Sequence, residues 1–393
     1  MDVFEIVGET LVKYTGRGGH VTIPGRVKII GCYAFGGCSN LTSVTIPDGI
    51  TSIGYRAFYG CTGLTSITLP DSVTSIGVSA FSGCSGITSA TIGNGVTRIG
   101  GFAFSGCSGM ASITIGNGVT SIGERAFSDC YGLTSVYYTG NVTGWCRITF
   151  DPGAANPLYY AHNLYLNDGL LTELVIPDTV IAIKAYAFIG CSGLTSVTIG
   201  NNVATIGNYA FYGCSGLASI TIPDSVTSIG GSAFSGCSDL TAIVIPDSVT
   251  SIGNGAFRLC TSMTSITIGN NVTSIGEYAF FGSGLTSRLG NYKAFILTPD
   301  GKLKCRDKTY TVGKRSFAEG PLVLCENGIH YCTNLFDVFN YYNGEYGKHF
   351  VIAECKVSKE NIGTKDYDSK RCARSIVPEH ILSREEIIGI LNA

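Results

Sequence analysis

Charge is what this chain has least of. Asp, Glu, Lys and Arg together make up 14% of its 393 residues, against 45% apolar residues, a balance that excludes a disordered, solvated tail. The net charge of −2 supplies no basic excess to displace counterions, so nucleic acid and anionic membrane surfaces are not expected partners. No uninterrupted apolar run approaches the roughly 18 residues of a membrane-spanning helix. The first residues, MDVFEIVGETLVKYTGRGGH, place acids where a secretory signal carries basic and apolar segments, so the expected location is cytoplasmic, or the cell surface if a leader has been removed. No CxxC pair occurs among the 16 cysteines, which argues against a zinc site of the usual spacing.

The few charges are unevenly placed. Residues 1–290 hold 11 Lys/Arg and 15 Asp/Glu, whereas residues 291–393 hold 15 and 13, and that step in density marks a domain boundary near Arg288. The expected organisation is a cap over residues 1–17, a repeat array over 18–288 with an irregular insertion near 139–170, and a C-terminal domain over 289–393.

The array is read from one dipeptide. Ala-Phe recurs with Phe at 35, 58, 81, 104 and 127, then at 188, 211, 234, 257 and 280, and every step is 23 residues except one of 61, equivalent to two units plus 15. A full unit runs from Leu64 to Gly86, LTSITLPDSVTSIGVSAFSGCSG. Leu64, Ile67 and Leu69 have the spacing of a short strand whose Ser66 and Thr68 face outward. Pro70-Asp71 turns the chain, a second extended piece covers Val73 to Ile76, and the bend at Ala80-Phe81 drives Phe inward. One such unit buries too little to offset the ordering of its own backbone, so stability has to come from stacking on neighbours. The predicted fold is mainly β: a leucine-rich-repeat-like solenoid of 23-residue units with a small α+β C-terminal domain. Phe4, Ile6, Leu11 and Tyr14 are the apolar residues expected to cap it.

A column of cysteines, Cys38, 61, 84, 107 and 130, then Cys191, 214, 237 and 260, keeps the same period. A run of five cannot pair completely, and the column reads as reduced core thiols. Trp145, the single tryptophan, falls at a core-facing position and reads as packing.

The unit LTSITIPDSVTSIGxxAFxGCSG resembles the BspA-like leucine-rich repeat of bacterial proteins, known also from Treponema surface antigens. The insertion GWCRITFDPGAANPLYYAHNLYLND (residues 144–168) is similar to an irregular unit found within such arrays. The resemblance implies adhesion and protein binding, often at cell surfaces.

The strand faces carry monotonous Ser and Thr, while variety concentrates around Ala-Phe. Tyr33, Tyr55, Arg56, Tyr59, Phe102, Arg125, Tyr186, Tyr209, Tyr212, Arg258, Tyr278 and Phe281 are therefore the expected binding residues, since Tyr and Arg carry much of the energy of protein interfaces. The competing reading makes them half-buried fillers of the coil edge.

In the C-terminal domain the expected elements are strands at Tyr292–Leu297, Lys302–Cys305, Thr309–Val312, Leu322–Cys325 and Phe350–Cys355, with helices at Asn334–Tyr342 and Ser383–Leu391. Cys325, His330 and Cys332 have the spacing C-x4-H-x-C, which lacks a tight Cys pair, so no metal is expected. The segment CENGIHYCTNLFDVFNYY resembles an uncharacterised domain that recurs in phage and bacterial proteins, with a form close to GFHxCxNPxDVFNYY. Gly328, His330, Cys332, Asn334, Asp337, Val338 and Phe339 match it, while Ile329 and Leu335 depart. Its order of elements is distantly similar to ADP-ribosyltransferases, which implies nucleotide handling such as NAD, with Arg306, His330, Tyr341 and Glu354 as the residues to suspect. Three functions stay open: a non-enzymatic protein-binding scaffold without cofactor, a nucleotide-handling enzyme, and a surface adhesin.

Overall fold

The protein is described here by a computed structural model, which covers residues 3–152 and 154–285, the backbone of the C-terminal strands, Leu382 and Glu386. The chain divides into two units, Met1–Leu194 and Thr195–Ala393.

In the first unit each coil is closed by three ladders to its neighbours. Strands Ser66–Leu69, Ser89–Ile92, Ser112–Ile115 and Ser135–Tyr138 pair in parallel with a register of 23. Ile67 and Leu69 lie inside and Ser66 and Thr68 outside, as alternation requires. The two-residue strands Ser75–Ile76, Arg98–Ile99 and Ser121–Ile122 form the second ladder. The third is the bend itself. Ala80 N, Ser82 N and Cys84 N donate within the coil to Gly77 O, Ser79 O and Phe81 O, while the intervening Ser79 N, Phe81 N and Gly83 N donate to Gly101 O, Ala103 O and Ser105 O of the following coil at 2.7–2.9 Å. Every amide of this stretch is thereby satisfied, which is what allows an irregular backbone to be buried.

The Phe side chains form an interior file. Rings at 35, 58, 81, 104 and 127 stack nearly parallel with centroids 4.8–5.5 Å apart. Strands β1 (Phe4–Val7) and β2 (Thr10–Tyr14) make an antiparallel hairpin that continues it through Tyr14, 5.1 Å from Phe35, and Phe4, 5.5 Å from Tyr14. In the second unit, Phe211, 234, 257 and 280 stack in the same manner at 5.4–5.7 Å.

Beside each file runs the file of thiols. Cys61, Cys84, Cys107 and Cys130 donate to Phe35 O, Phe58 O, Phe81 O and Phe104 O at 3.0–3.2 Å, and Cys237 and Cys260 do the same to Phe211 O and Phe234 O at 3.2–3.3 Å. The thiol is thus a hydrogen-bonded part of the bend. Burial pushes Cys130, Cys146, Cys191 and Cys260 up to about 12. It also raises Cys107 and Cys237 well above the ordinary value, and Cys61 is raised by a hydrogen bond with Cys84 together with burial. Cys32, outside the column, is exposed.

The 61-residue step holds two units, and its 15 extra residues are divided between one long coil and a hairpin. Val136 pairs with Leu164 and Ile122 with Phe150, both offset by 28. Strand Leu164–Leu166 then turns back antiparallel onto Gly169–Leu170. The extra length holds helices α1 (Val142–Arg147), capped by Asn141 Oδ1 accepting from Gly144 N at 2.9 Å, and α2 (Leu158–Ala161). Ala155 stands at the Phe position of this coil, and the large interior group is Trp145, fully buried on α1, whose Nε1 donates to Ala187 O at 2.8 Å. Trp145 is therefore packing, though on a helix.

In the C-terminal segment strand Tyr292–Leu297 lies between Ile329–Cys332 and Val351–Val357, and strands Lys370–Ala373 and Ser375–Ile381 extend the sheet on either side, all antiparallel. His330 sits on Ile329–Cys332 opposite Cys372, and Glu354 sits on Val351–Val357 opposite His380. Arg306, Tyr341, the expected strand Leu322–Cys325 and the expected helix Asn334–Tyr342 lie outside the described residues; of Ser383–Leu391, Glu386 is described and helical.

Candidate binding surface

The residue preceding Ala-Phe takes a left-handed backbone in all ten bends. Tyr33, Arg56, Ser79, Phe102, Arg125, Tyr186, Tyr209, Ser232, Gly255 and Tyr278 have φ between 51° and 64°. For an L-residue this costs roughly 1–2 kcal/mol, and it is rare for bulky side chains. It arises because consecutive amides must point alternately into the coil and toward the next coil: Tyr33 N reaches Tyr55 O at 3.0 Å and Phe102 N reaches Glu124 O at 2.9 Å. Seven of the ten positions hold Tyr, Phe or Arg where Ser79, Ser232 and Gly255 show that a small residue fits.

The predicted residues assemble in groups. In the first unit Tyr33, Tyr55 and Tyr59, each 39–47% exposed, surround Arg56. The guanidinium carbon lies 5.8, 5.1 and 5.0 Å from the Tyr33, Tyr55 and Tyr59 ring centroids, within cation–π range. Arg56 Nη1 donates to Tyr33 Oη at 2.9 Å, and Nε is withdrawn from solvent without a hydrogen-bond partner among the described residues. Hydrogen bonding to Tyr33 raises both the Arg56 guanidinium and the Tyr55 phenol, so the cluster stays cationic at its centre. Arg125 lies 6.0 Å from the Phe102 centroid and is shared with Glu124 at 3.7 Å. Tyr186 is half-buried, and its carbonyl accepts from Asn156 Nδ2 at 2.9 Å.

In the second unit Tyr209 packs on Tyr212 at 5.7 Å, and Phe281 meets Tyr278 edge-on at 5.8 Å with Arg258 5.7 Å over its ring. Tyr209, Tyr212 and Tyr278 are exposed. Of the expected binding residues, Arg125 and Arg258 are exposed as well, while Arg56, Phe102, Tyr186 and Phe281 are half-buried. An open groove of about 540 Å³ crosses the turns on another side, lined by Thr68, Asp71, Asn94, Thr114 and Thr139. Its polar groups largely satisfy one another, Asn94 N on Asp71 Oδ1 at 2.6 Å and Thr139 Oγ1 on Asn94 Oδ1 at 2.7 Å.

Among the described residues no group of three His, Cys, Asp or Glu is placed to hold a metal ion, and no helix is long and apolar enough to cross a membrane. Reading by residue type near Ala-Phe missed Asp129, Tyr131 and Tyr160. The signal that would have found the first two is departure from the repeat, since eight of the ten coils carry Gly where Asp129 stands and eight carry Ser or Thr where Tyr131 stands.

The family model of the BspA type leucine rich repeat region matches residues 12–151 and 161–286, more than half of the chain. The chain belongs to the BspA-type leucine-rich repeat family. Beyond the repeats of this BspA-type protein, residues 291–389 match a domain of unknown function, DUF7666. Comparison with curated proteins gave no match. Similar solved structures include a leucine rich cell surface protein from Faecalibacterium prausnitzii, 29% identical over 70% of this chain and 87% of that one, with a TM-score of 0.40. A leucine-rich repeat protein from Bacteroides ovatus is 30% identical over 70% and 79%, TM-score 0.39, and the pneumococcal vaccine antigen PcpA is 24% identical over 66% and 64%, TM-score 0.47.

Proposed function

We propose that this BspA-type chain is a non-enzymatic scaffold that recognises a partner protein through the tyrosine and arginine clusters flanking its Ala-Phe bends. The observation that carries this reading is the retention of large aromatic and cationic side chains at strained positions where Ser and Gly are accommodated, since strain held against an available alternative points to use. Side chains of this type, exposed but already fixed against one another, bind with little loss of rotamer freedom. The low charge and net −2 support a protein partner over nucleic acid. The thiol files, hydrogen-bonded to Phe carbonyls in the reduced form, support a reducing compartment, the cytoplasm.

The test is affinity capture from an extract of the source organism with the wild-type chain and with the double variant Arg56→Ser and Tyr59→Ser, which installs residues that sister coils carry. The expected result is a partner retained by the wild type and recovered at least about tenfold less by the variant, with circular dichroism unchanged. Equal recovery of every captured protein by the two chains would remove this cluster from the interface.

A further inference from the structure

The repeats serve as their own baseline, and two neighbouring columns break together in the coil beside the irregular one. Asp129 takes the place of Gly37, 60, 83, 106, 190, 213, 236 and 282, and it keeps their left-handed backbone at φ 62°. Tyr131 takes the place of Ser39, Thr62, Ser85 and Ser108 and is 72% exposed. The two departures touch each other: Tyr131 Oη donates to Asp129 Oδ1 at 2.6 Å. Helix α2 of the long coil brings a third group, Tyr160, whose Oη accepts from Asp129 N at 3.1 Å and whose ring meets Tyr131 at 5.6 Å and 90°. Tyr159 packs on Tyr160 at 5.1 Å. The hydrogen bond to Asp129, and then its charge, raise the Tyr131 phenol, which keeps that hydroxyl protonated and donating.

Elsewhere the chain shows what it places over such rings. Arg56 lies over three tyrosines, Arg125 over Phe102 and Arg258 over Phe281. Over Tyr131, Tyr159 and Tyr160 there is no cation among the described residues, and here the cluster carries a carboxylate instead. The edge-on contact between Tyr131 and Tyr160 leaves no slot between the rings for a compact ammonium. It leaves instead one broad exposed ring with a carboxylate at its rim, which suits a planar group that stacks and donates in its own plane.

We propose that Asp129 and Tyr131, braced by Tyr160, form a docking point for an arginine side chain of a partner protein. The guanidinium lies on the Tyr131 ring and donates to the Asp129 carboxylate. This point is separate from the Arg56 cluster, and it stands or falls without it.

The experiment measures fluorescence anisotropy of the full chain with two labelled glycine-spaced peptides of equal length and charge, one bearing arginines and the other lysines. Asp129→Gly and Tyr131→Ser each restore the residue of sister coils, so both variants should melt no lower than the wild type. Val244→Thr, which likewise restores a repeat residue at an exposed strand position of the second unit, is the control. The expected result is that the arginine peptide binds the wild type and the control alike, about tenfold more weakly to either variant, and several-fold more tightly than the lysine peptide. Equal affinity for the two peptides, equal binding by wild type and both variants, no binding of the arginine peptide, or its displacement by a neutral oligosaccharide would each overturn the proposal.

Discussion

Raising the pH from 7 to 10 is expected to unfold the repeat array, with the loss beginning near pH 9. The cause is proton linkage through the buried thiols. Cys61, Cys107, Cys130, Cys146, Cys191, Cys237 and Cys260 all titrate above their ordinary value of 9.0 in the folded chain. Below pH 9 the thiols are protonated whether folded or not, and they contribute no pH dependence. Between 9 and about 12 the unfolded chain sheds these protons while the folded chain keeps them, so the unfolded state binds fewer and stability falls with pH. At pH 10 each such thiol shifts the balance by about 1.4 kcal/mol, and seven together reach the order of 10 kcal/mol, comparable to the whole stability of an ordinary domain. Thermal melts followed by circular dichroism at pH 7, 9 and 10 check this, with a Cys107→Ala and Cys130→Ala double variant showing a shallower decline. A melting temperature unchanged from pH 7 to pH 10 would contradict the account.

Gly100→Ala is expected to destabilise the array by about 3 kcal/mol or more, although it adds only one methyl group. A Cβ at Gly100 would sit 2.6 Å from Gly77 C and 2.6 Å from Val78 N, backbone atoms of the preceding coil that cannot step aside. Gly31, Gly54, Gly77, Gly123, Gly230, Gly253 and Gly276 have the same close contact, at 2.3–2.8 Å. The one substituted position in this column is Lys184, and it follows the irregular coil, where the backbone takes a different course and Lys184 Nζ reaches Thr149 Oγ1 at 2.8 Å. Gly25→Ala is the control, since nothing lies within 4 Å of its Cβ. Urea unfolding of the two variants separates a close backbone approach from a general cost of replacing glycine; equal midpoints would refute the contact argument.

Much of this architecture was legible because the repeat is strict. Phe81, Ile67, Leu69 and Cys84 recur at fixed offsets, and a fixed offset becomes a fixed register once coils pair in parallel. The interior of the long coil was hidden for a physical reason: Ala155 stands where the other coils carry Phe, and Trp145 fills the interior from a helix whose cap, Asn141, is a single residue easily read as a turn. The left-handed bends were hidden because Tyr and Arg do not advertise that conformation as Gly does; only Gly255 in the column hinted at it. Tyr55, Arg56 and Tyr59 were found by residue type, whereas Asp129 and Tyr131 needed comparison down the columns.

The orientation of the three ladders has an evolutionary consequence. In the strand ladders amides such as Thr88 N and Gly100 N reach back to Thr65 O and Ile76 O, whereas in the bend Phe81 N reaches forward to Ala103 O. Each module therefore presents the same mating pattern above and below, and a whole module can be duplicated or excised in frame without altering any surviving interface. Length, and with it the number of recognition clusters displayed, becomes a quantity that unequal recombination can adjust in single steps.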